Sequence, residues 1–551
     1  MKRNTNVRMK LKGVTGFCLL FLFIFLFVSQ TLLAVSPSPK PRPKGEKIVL
    51  KHADKVHFDQ YKNPGVQIFI GNVAFDHNGL LLYCDSADFY QDDNSFKAFG
   101  HVRMVQGDTL SLRGEYLFYD GNSQIAQVRR NVVLRHRKTE LYTDSLNYDR
   151  VYNMGYFFEG GKLVDGENVL TSDWGQYDTS TREALFNYNV NLEGKDYMLS
   201  GDTLYYDTRT RQSHMLGPST IVNGESRIRT ENGYFNSETH SVKLLDRSVV
   251  VDKTHKIVGD TIDYDKGTGE ARARGNVVLV DEANKNIMTS HYCYYNDSTG
   301  YAIAYDSAQI KNYSETDTLY MHADTFKIYT YNLRTDSAYR VAHAFAHVRS
   351  YRTDVQSVAD SMIYNSLQHK FSLFGNPIIW NENRQILGEE IFAYFNDSSI
   401  DSIHVVNQAL MAERLDSVHY NQVAGREMNF YFENGQLKEN RVIGNVLVNY
   451  FAYDDDSLMI GMNHTETSLL RLFMENKQLS KIWTRESKGT FYPLLFVTDK
   501  EAYLSNFAWF DYMRPSSAAD IFIWVPKAAG TELKRTERRV VPFQSLKGIK
   551  R

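Results

Sequence analysis

The chain has 551 residues, with 63 Lys and Arg against 65 Asp and Glu, 13% aromatic residues and three cysteines. Such a balance lacks the basic surplus that nucleic-acid binding requires, so no nucleic-acid partner is expected. Length is no guide to domain count once internal repeats are recognised, because each repeat is one stacked unit of a longer body.

Five basic residues, Lys2, Arg3, Arg8, Lys10 and Lys12, precede an apolar run from Phe17 to Val28 that continues weakly to Ala34. This is either a signal peptide cleaved at the small-residue step Ala34-Val35-Ser36 or an uncleaved anchor, since Val14 to Ala34 is just long enough to span a bilayer. Cleavage is the preferred reading, and Cys18, preceded by Gly16 and Phe17, lies in no lipidation motif. Without residues 1–36 the chain keeps 58 basic and 65 acidic residues, a net charge of −7. Only Cys84 and Cys293 then remain. They lie seven repeats apart in different columns of the unit, so two unpaired thiols are expected. Residues 37–64 form a linker and lead-in, opening on Ser-Pro-Ser-Pro-Lys-Pro-Arg-Pro, an extended polyproline spacer.

From residue 65 to about 450 the sequence repeats. An aromatic residue returns every 29 residues at Tyr90, Tyr119, Tyr148, Tyr177, Tyr206, Phe235 and Tyr264. Seven positions earlier stands a large, mostly aliphatic residue (Tyr83, Leu112, Leu141, Leu170, Leu199, Ile228, Ile257), and four positions earlier a polar or acidic one (Ser86, Glu115, Asp144, Asp173, Asp202, Glu231, Asp260). The register loosens further on, giving roughly a dozen units in one elongated all-β body. Only Pro218 and Pro377 interrupt this region, as expected where backbone donors are committed to sheet ladders. Each unit supplies two strands and two turns. Leu199 and Leu204 are five apart, so the strand must bulge or bend at Gly201-Asp202 for both to share a face. A second corner is marked by Gly71-Asn72, Gly100-His101, Asn131, Gly275-Asn276 and Gly444-Asn445.

Residues 451–530 leave the register and carry Trp483, Tyr492, Phe507, Trp509 and Tyr512, which reads as a C-terminal cap or docking segment. Residues 531–551 are a basic tail. Exposed edge strands are expected near residue 70 and around Val446 to Tyr450, where strand addition would join units end to end. No Gly-x-Ser-x-Gly, His-Glu-x-x-His, Cys-x-x-Cys or Walker pattern occurs, and no enzymatic activity, metal or cofactor is expected. His101 and His347 fall at strand starts, as exposed rather than catalytic residues. The acidic column reads as acceptors for local donors at a bend, because one carboxylate per unit supplies too few oxygens for calcium.

Ile68-Phe69-Ile70-Gly71-Asn72-Val73-Ala74-Phe75-Asp76-His77, then Leu82-Tyr83-Cys84-Asp85-Ser86-Ala87-Asp88-Phe89-Tyr90, then Ala98-Phe99-Gly100-His101-Val102 through Gln106-Gly107-Asp108-Thr109-Leu110, resemble the OstA-like family, which includes the LptA-type lipopolysaccharide-transport proteins. The match is strongest over residues 65 to 120, and the length resembles the long OstA-like proteins of Bacteroidetes-type bacteria. The resemblance implies an open, V-shaped β-jellyroll (a β-taco) whose apolar groove carries lipid A acyl chains across the periplasm of a Gram-negative bacterium. It implies Lpt-type partners at the inner and outer membranes, and attachment to either membrane stays open. On that reading Leu112, Leu141, Leu170, Leu199, Ile228 and Ile257 line the groove, with Tyr119, Tyr148, Tyr177, Tyr206 and Tyr264 as the neighbouring ladder. The alternatives are a parallel β-helix for the fold, and a closed solenoid scaffold or adhesin binding protein or glycan on its outer face for the function.

Overall fold

Alternating strands with one apolar face must stack that face against another. The computed structural model describes residues 46–531 apart from 59–60, 62–63, 253–254, 397–398 and 477, and in it successive strands pair into one continuous antiparallel ladder. Antiparallel pairing excludes the parallel β-helix. Ten of the rungs are split into two segments, so the 38 strand segments make 28 rungs. At ~4.8 Å per rung the ladder is on the order of 130 Å long.

Every rung bends at its middle. At the corners of alternate rungs two consecutive residues take left-handed dihedrals: Gly71 and Asn72 (φ 83° and 46°), Gly100 and His101 (72° and 41°), Gly275 and Asn276 (73° and 44°). Gly and Asn recur there because they tolerate positive φ, and a Cβ on Gly275 would also collide with the Asp260 side chain. The pairing register slips at each corner, for example between Ile70 and Val73 and between Arg274 and Val277. The acidic column braces these corners. Asp260 accepts a hydrogen bond from Asn276 Nδ2 (3.0 Å), Asp173 from Asn189 Nδ2 (2.6 Å), and Asp144 from the Asn131 backbone N–H (3.3 Å). His101 and His347 are corner residues too, each bonded through Nδ1 to an aspartate, Asp85 and Asp324, at 2.8 Å. Pro218 sits where the ladder is already broken, between Leu216 and Ser219.

The strand halves on either side of the corners form two arms that enclose an apolar interior, and the hairpin turns lie along the mouth between the arm tips. Within this body Cys84 and Cys293 are unpaired and buried, which pushes their thiols up to about 12 and about 11.

The ladder passes the expected limits of 65 and 450 on both sides. Val49–His52 and Lys55–Phe58 pair with Val66–His77, and Met459–Glu475 carries a final rung made of Gln478–Arg485 and Lys488–Pro493. The edges expected near residue 70 and at Val446 to Tyr450 are therefore interior rungs. Among the described residues the terminal rungs are Val49–Phe58 and Gln478–Pro493, each paired on one side and bearing exposed apolar side chains such as Val56, Phe58, Ile482 and Phe491.

The segment after Pro493 does not fold over that C-terminal edge. It turns back as a strap along the outer face of one arm. The Gln385 amide donates to Ala508 O (2.8 Å) and accepts from the Phe510 N–H (2.8 Å), and Gln422 does the same with Ala502 O (2.8 Å) and the Leu504 N–H (2.9 Å). Each glutamine thus reads the strap backbone as a neighbouring strand would. Arg349, buried at 1% exposure, donates to Met513 O (3.0 Å) and pairs with Asp520 (3.5 Å). Trp380, Leu387 and Leu410 on the arm pack with Leu504, Phe510 and Met513 on the strap as a separate apolar core. Residues 1–45 and 532–551, which hold the signal or anchor segment, the start of the linker and the basic tail, lie outside the described residues. No described helix is long and apolar enough to cross a membrane.

Candidate functional site

The aliphatic column lies on one arm and the aromatic column on the other, and both point into the same interior. Leu112, Leu141, Leu170 and Leu199 share one core with Tyr119, Tyr148, Tyr177 and Tyr206. All eight are at most 2% exposed, so this stretch of the interior is filled by its own side chains. Ile228, Ile257 and Tyr264, the same columns further along, are only partly buried.

The difference follows from what closes the mouth. Over the first half, polar groups on the two arm tips meet in a seam. His77 Nδ1 bonds the Tyr119 hydroxyl (2.7 Å), while Arg150 from the opposite tip donates to the carbonyls of His77 (2.9 Å) and Asn78 (3.0 Å). His136 Nδ1 bonds the Tyr177 hydroxyl (2.9 Å). The Tyr206 hydroxyl donates to Asp165 Oδ2 (3.0 Å) and accepts from Asn168 Nδ2 (2.9 Å), which also reaches Ser237 Oγ (2.9 Å). At the N-terminal end the lead-in lies across the mouth: Glu46 O accepts from Asn94 Nδ2 (3.0 Å) and faces His77 Nε2 (2.9 Å), and the Ile48 N–H donates to Asn94 Oδ1 (2.9 Å). Tyr148 differs, since its hydroxyl meets Thr179 Oγ1 (3.3 Å) on its own arm. Beside it the seam leaves a crevice of about 170 Å³ lined by Gln106, Thr109, His136, Tyr148, Asn153 and Thr179.

The electrostatics fit a closed seam. Burial lowers the His77 and His136 pKa values, aided by Arg150 at the first and by Arg137 and Arg182 at the second, so both rings are neutral partners. Burial, with the nearby Asp165 charge, raises the Tyr206 phenol and keeps its hydroxyl a donor. The tyrosine ladder, expected as part of the lining, is thus also the latch. Nothing in the sequence pairs a tyrosine with a particular His or Asp some 40 residues away, although one clue was present: a phenol needs a partner when buried, whereas a purely apolar lining would use Phe.

Past Ser237 the seam thins, and the arm tips there are linked by the looser ion pair Arg340–Asp281 at 3.8 Å. On the aromatic arm one cross-strand row mixes small and large side chains in both halves, Ala98 and Gly175 beside Leu117 and Phe186, then Ala304 and Ala344 beside Phe326 and Met362. Val250, Ile257, Leu279 and Ile310 remain partly buried along the facing arm, and Tyr295 is 39% exposed. The aliphatic lining thus runs from Leu112 to Met321, sealed in the first half and partly accessible from Ile228, is interrupted by the hydrogen-bonded pair Ser350 and Ser357, and resumes at Ile379. Among the described residues no group of three or more His, Cys, Asp or Glu side chains is placed to hold a metal ion.

An elongated antiparallel β-jellyroll with an apolar interior is the class that this architecture defines. Residues 45–202, most of the sealed half, match the family model described as OstA-like protein. Among solved structures, the chain is similar to the crystal structure of LptH from Pseudomonas aeruginosa, described as the LptA-homologous periplasmic component of the lipopolysaccharide transport device. The likeness has 14% identity, covers 31% of this chain and 84% of that one, and has a TM-score of 0.11. No curated protein matches the chain.

Proposed function

We propose that this protein is a non-enzymatic carrier of lipopolysaccharide, holding acyl chains between its two arms while the saccharide stays in solvent, as part of outer-membrane assembly in the periplasm of a Gram-negative bacterium. The observation that carries the reading is the aliphatic column that runs between the arms from Leu112 to Met321, partly accessible from Ile228 onwards. Shielding acyl chains from water is worth roughly 0.8 kcal/mol per methylene, and a long apolar interior supplies it without chemistry. The OstA-like match over residues 45–202 supports the same class of cargo. On this reading the terminal rungs at Val49–Phe58 and Gln478–Pro493 meet Lpt-type partners or further copies by strand addition.

The tightly packed first half supports a second reading, a filled scaffold that binds on its outer face. Photocrosslinking decides between them. A photoreactive residue at position 257 or 310 should give lipid adducts when the mature chain is purified from cells, and one at position 170 should give them only if the seam opens. Absence of adducts at every position of the aliphatic column would favour the scaffold.

A further inference from the structure

A concave site of about 460 Å³ lies on the outer face of the aromatic arm beside the C-terminal rung, lined by Arg441, Ile443, Leu469, Arg471, Trp483 and Arg485. The topology builds it from two adjacent cross-strand rows. Arg441, Arg471 and Trp483 stand side by side on three neighbouring rungs, and Ile443, Leu469 and Arg485 stand two residues further along the same strands. All six therefore project from one face. It is the face opposite the interior, since Val442 and Leu470, between them in sequence, belong to the core.

Two guanidinium groups share one carboxylate, and a third stands clear of it. Glu439 accepts from Arg471 Nε (2.7 Å) and Nη2 (3.1 Å) and from Arg441 Nε (3.0 Å). Arg471 also lies over the Phe473 ring at 4.8 Å and Arg441 over Tyr431 at 5.2 Å, which fixes both forks in place. The Arg485 guanidinium makes no hydrogen bond or ion pair among the described residues. Two positive charges are thus left over on a preorganised surface, next to a tryptophan that is 40% exposed.

We infer that this site binds a phosphorylated saccharide, with the Arg485 fork on the phosphate and the Trp483 ring under the sugar. Guanidinium geometry matches phosphate oxygens two at a time, and an indole face offers a flat apolar platform to the C–H face of a pyranose. The site is separate from the apolar interior, and the inference stands without the carrier proposal. The same chemistry is offered by a lipid's phosphosugar headgroup and by a free sugar phosphate.

The test is calorimetry on the full mature chain with four probes: a monophosphorylated glucosamine disaccharide without acyl chains, its unphosphorylated form, inorganic phosphate, and an acidic peptide. The phosphorylated disaccharide should bind at least tenfold more tightly than the other three. R485Q should weaken it about tenfold, and W483A should remove its advantage over phosphate while leaving phosphate binding unchanged. Both side chains are exposed on an outer face, so unchanged thermal melting confirms that the variants fold. Equal affinity for phosphate and phosphosugar, tighter binding of the peptide, or indifference to R485Q would each overturn the inference. A fifth titration, with the acylated phosphorylated disaccharide in detergent, separates the two sources. Sensitivity to R485Q there extends the site to a lipid headgroup, whereas indifference restricts the inference to the soluble sugar. Because the first four probes carry no acyl chain, their failure leaves the interior crosslinking result untouched.

Discussion

Replacing Tyr206 by Phe removes one oxygen from the seam and nothing else. The ring keeps its volume among the core side chains, so no cavity term arises. What is lost is the hydrogen bond to the Asp165 carboxylate at 3.0 Å and the one accepted from Asn168 at 2.9 Å. Asp165 is 7% exposed and cannot recover that bond from bulk water. A hydrogen bond to a charged group contributes about 1.5 to 3 kcal/mol, and a neutral bond about 1; Asn168 retains Ser237 as a partner, so a net loss of about 2 to 3 kcal/mol is expected. Y148F is the internal control, because its hydroxyl makes one 3.3 Å contact on its own arm and should cost less than about 1 kcal/mol. Urea denaturation gives the two free energies, and amide exchange in Met198–Asp207 and Gly161–Asp165 locates the opening. If Y206F and Y148F cost the same, the tyrosines do not hold the arms together and the seam argument fails.

Acidification should loosen the same seam. His77 and His136 have folded pKa values below the ordinary histidine value of 6.5. As pH falls below about 6.5 the unfolded chain takes up protons that the folded seam refuses, so stability drops through that range and levels off below the folded pKa values. The groups facing His77 are Glu46, Asp76 and Arg150, and those facing His136 are Arg137 and Arg182. Urea midpoints between pH 7.5 and 5.5 would show the slope, and a decline that persists unchanged in a double His→Gln variant would assign it elsewhere. Leu170→Asp buries an unpaired carboxylate where the leucine is 0% exposed, and should prevent stable folding of the first half. Ile257→Asp, in the accessible half, should fold, with circular dichroism near that of the parent, and lose lipid adducts at position 310. Truncation after Pro493 should uncover Trp380, Leu387 and Leu410, destabilising the arm beneath the strap by several kcal/mol at about 1.5 to 3 kcal/mol per large side chain. Amide exchange should rise in Val355–Asn365 and Tyr420–Glu433 and stay unchanged in Leu110–Asp120; a uniform rise would contradict a local strap.

The sequence by itself determined the repeat, the two strands per unit and the bend in each. Those are local matters: a two-residue side-chain period, glycine and asparagine where φ must be positive, and a carboxylate beside each bend. It also determined that Cys84 and Cys293 stay apart, because seven repeats of a stacked ladder separate them. That both columns face one interior was not fixed by period, since a single slipped residue at a corner exchanges the faces. Only the observed shifts, such as Phe99 to Val102 and Arg113 to Tyr116, settle it. The register faded after residue 450 although the ladder did not, because the later strands grow to 17 and 18 residues and the 29-residue spacing no longer marks them. Which arm tips meet, and where they stop meeting, depended on pairs such as His136 with Tyr177 that are joined through space by rungs between them. The return of the strap was likewise invisible in sequence. Gln385 and Gln422 read as ordinary surface polar residues until the folded arm places them under Phe510 and Leu504, where an amide can bond a backbone in both directions at once.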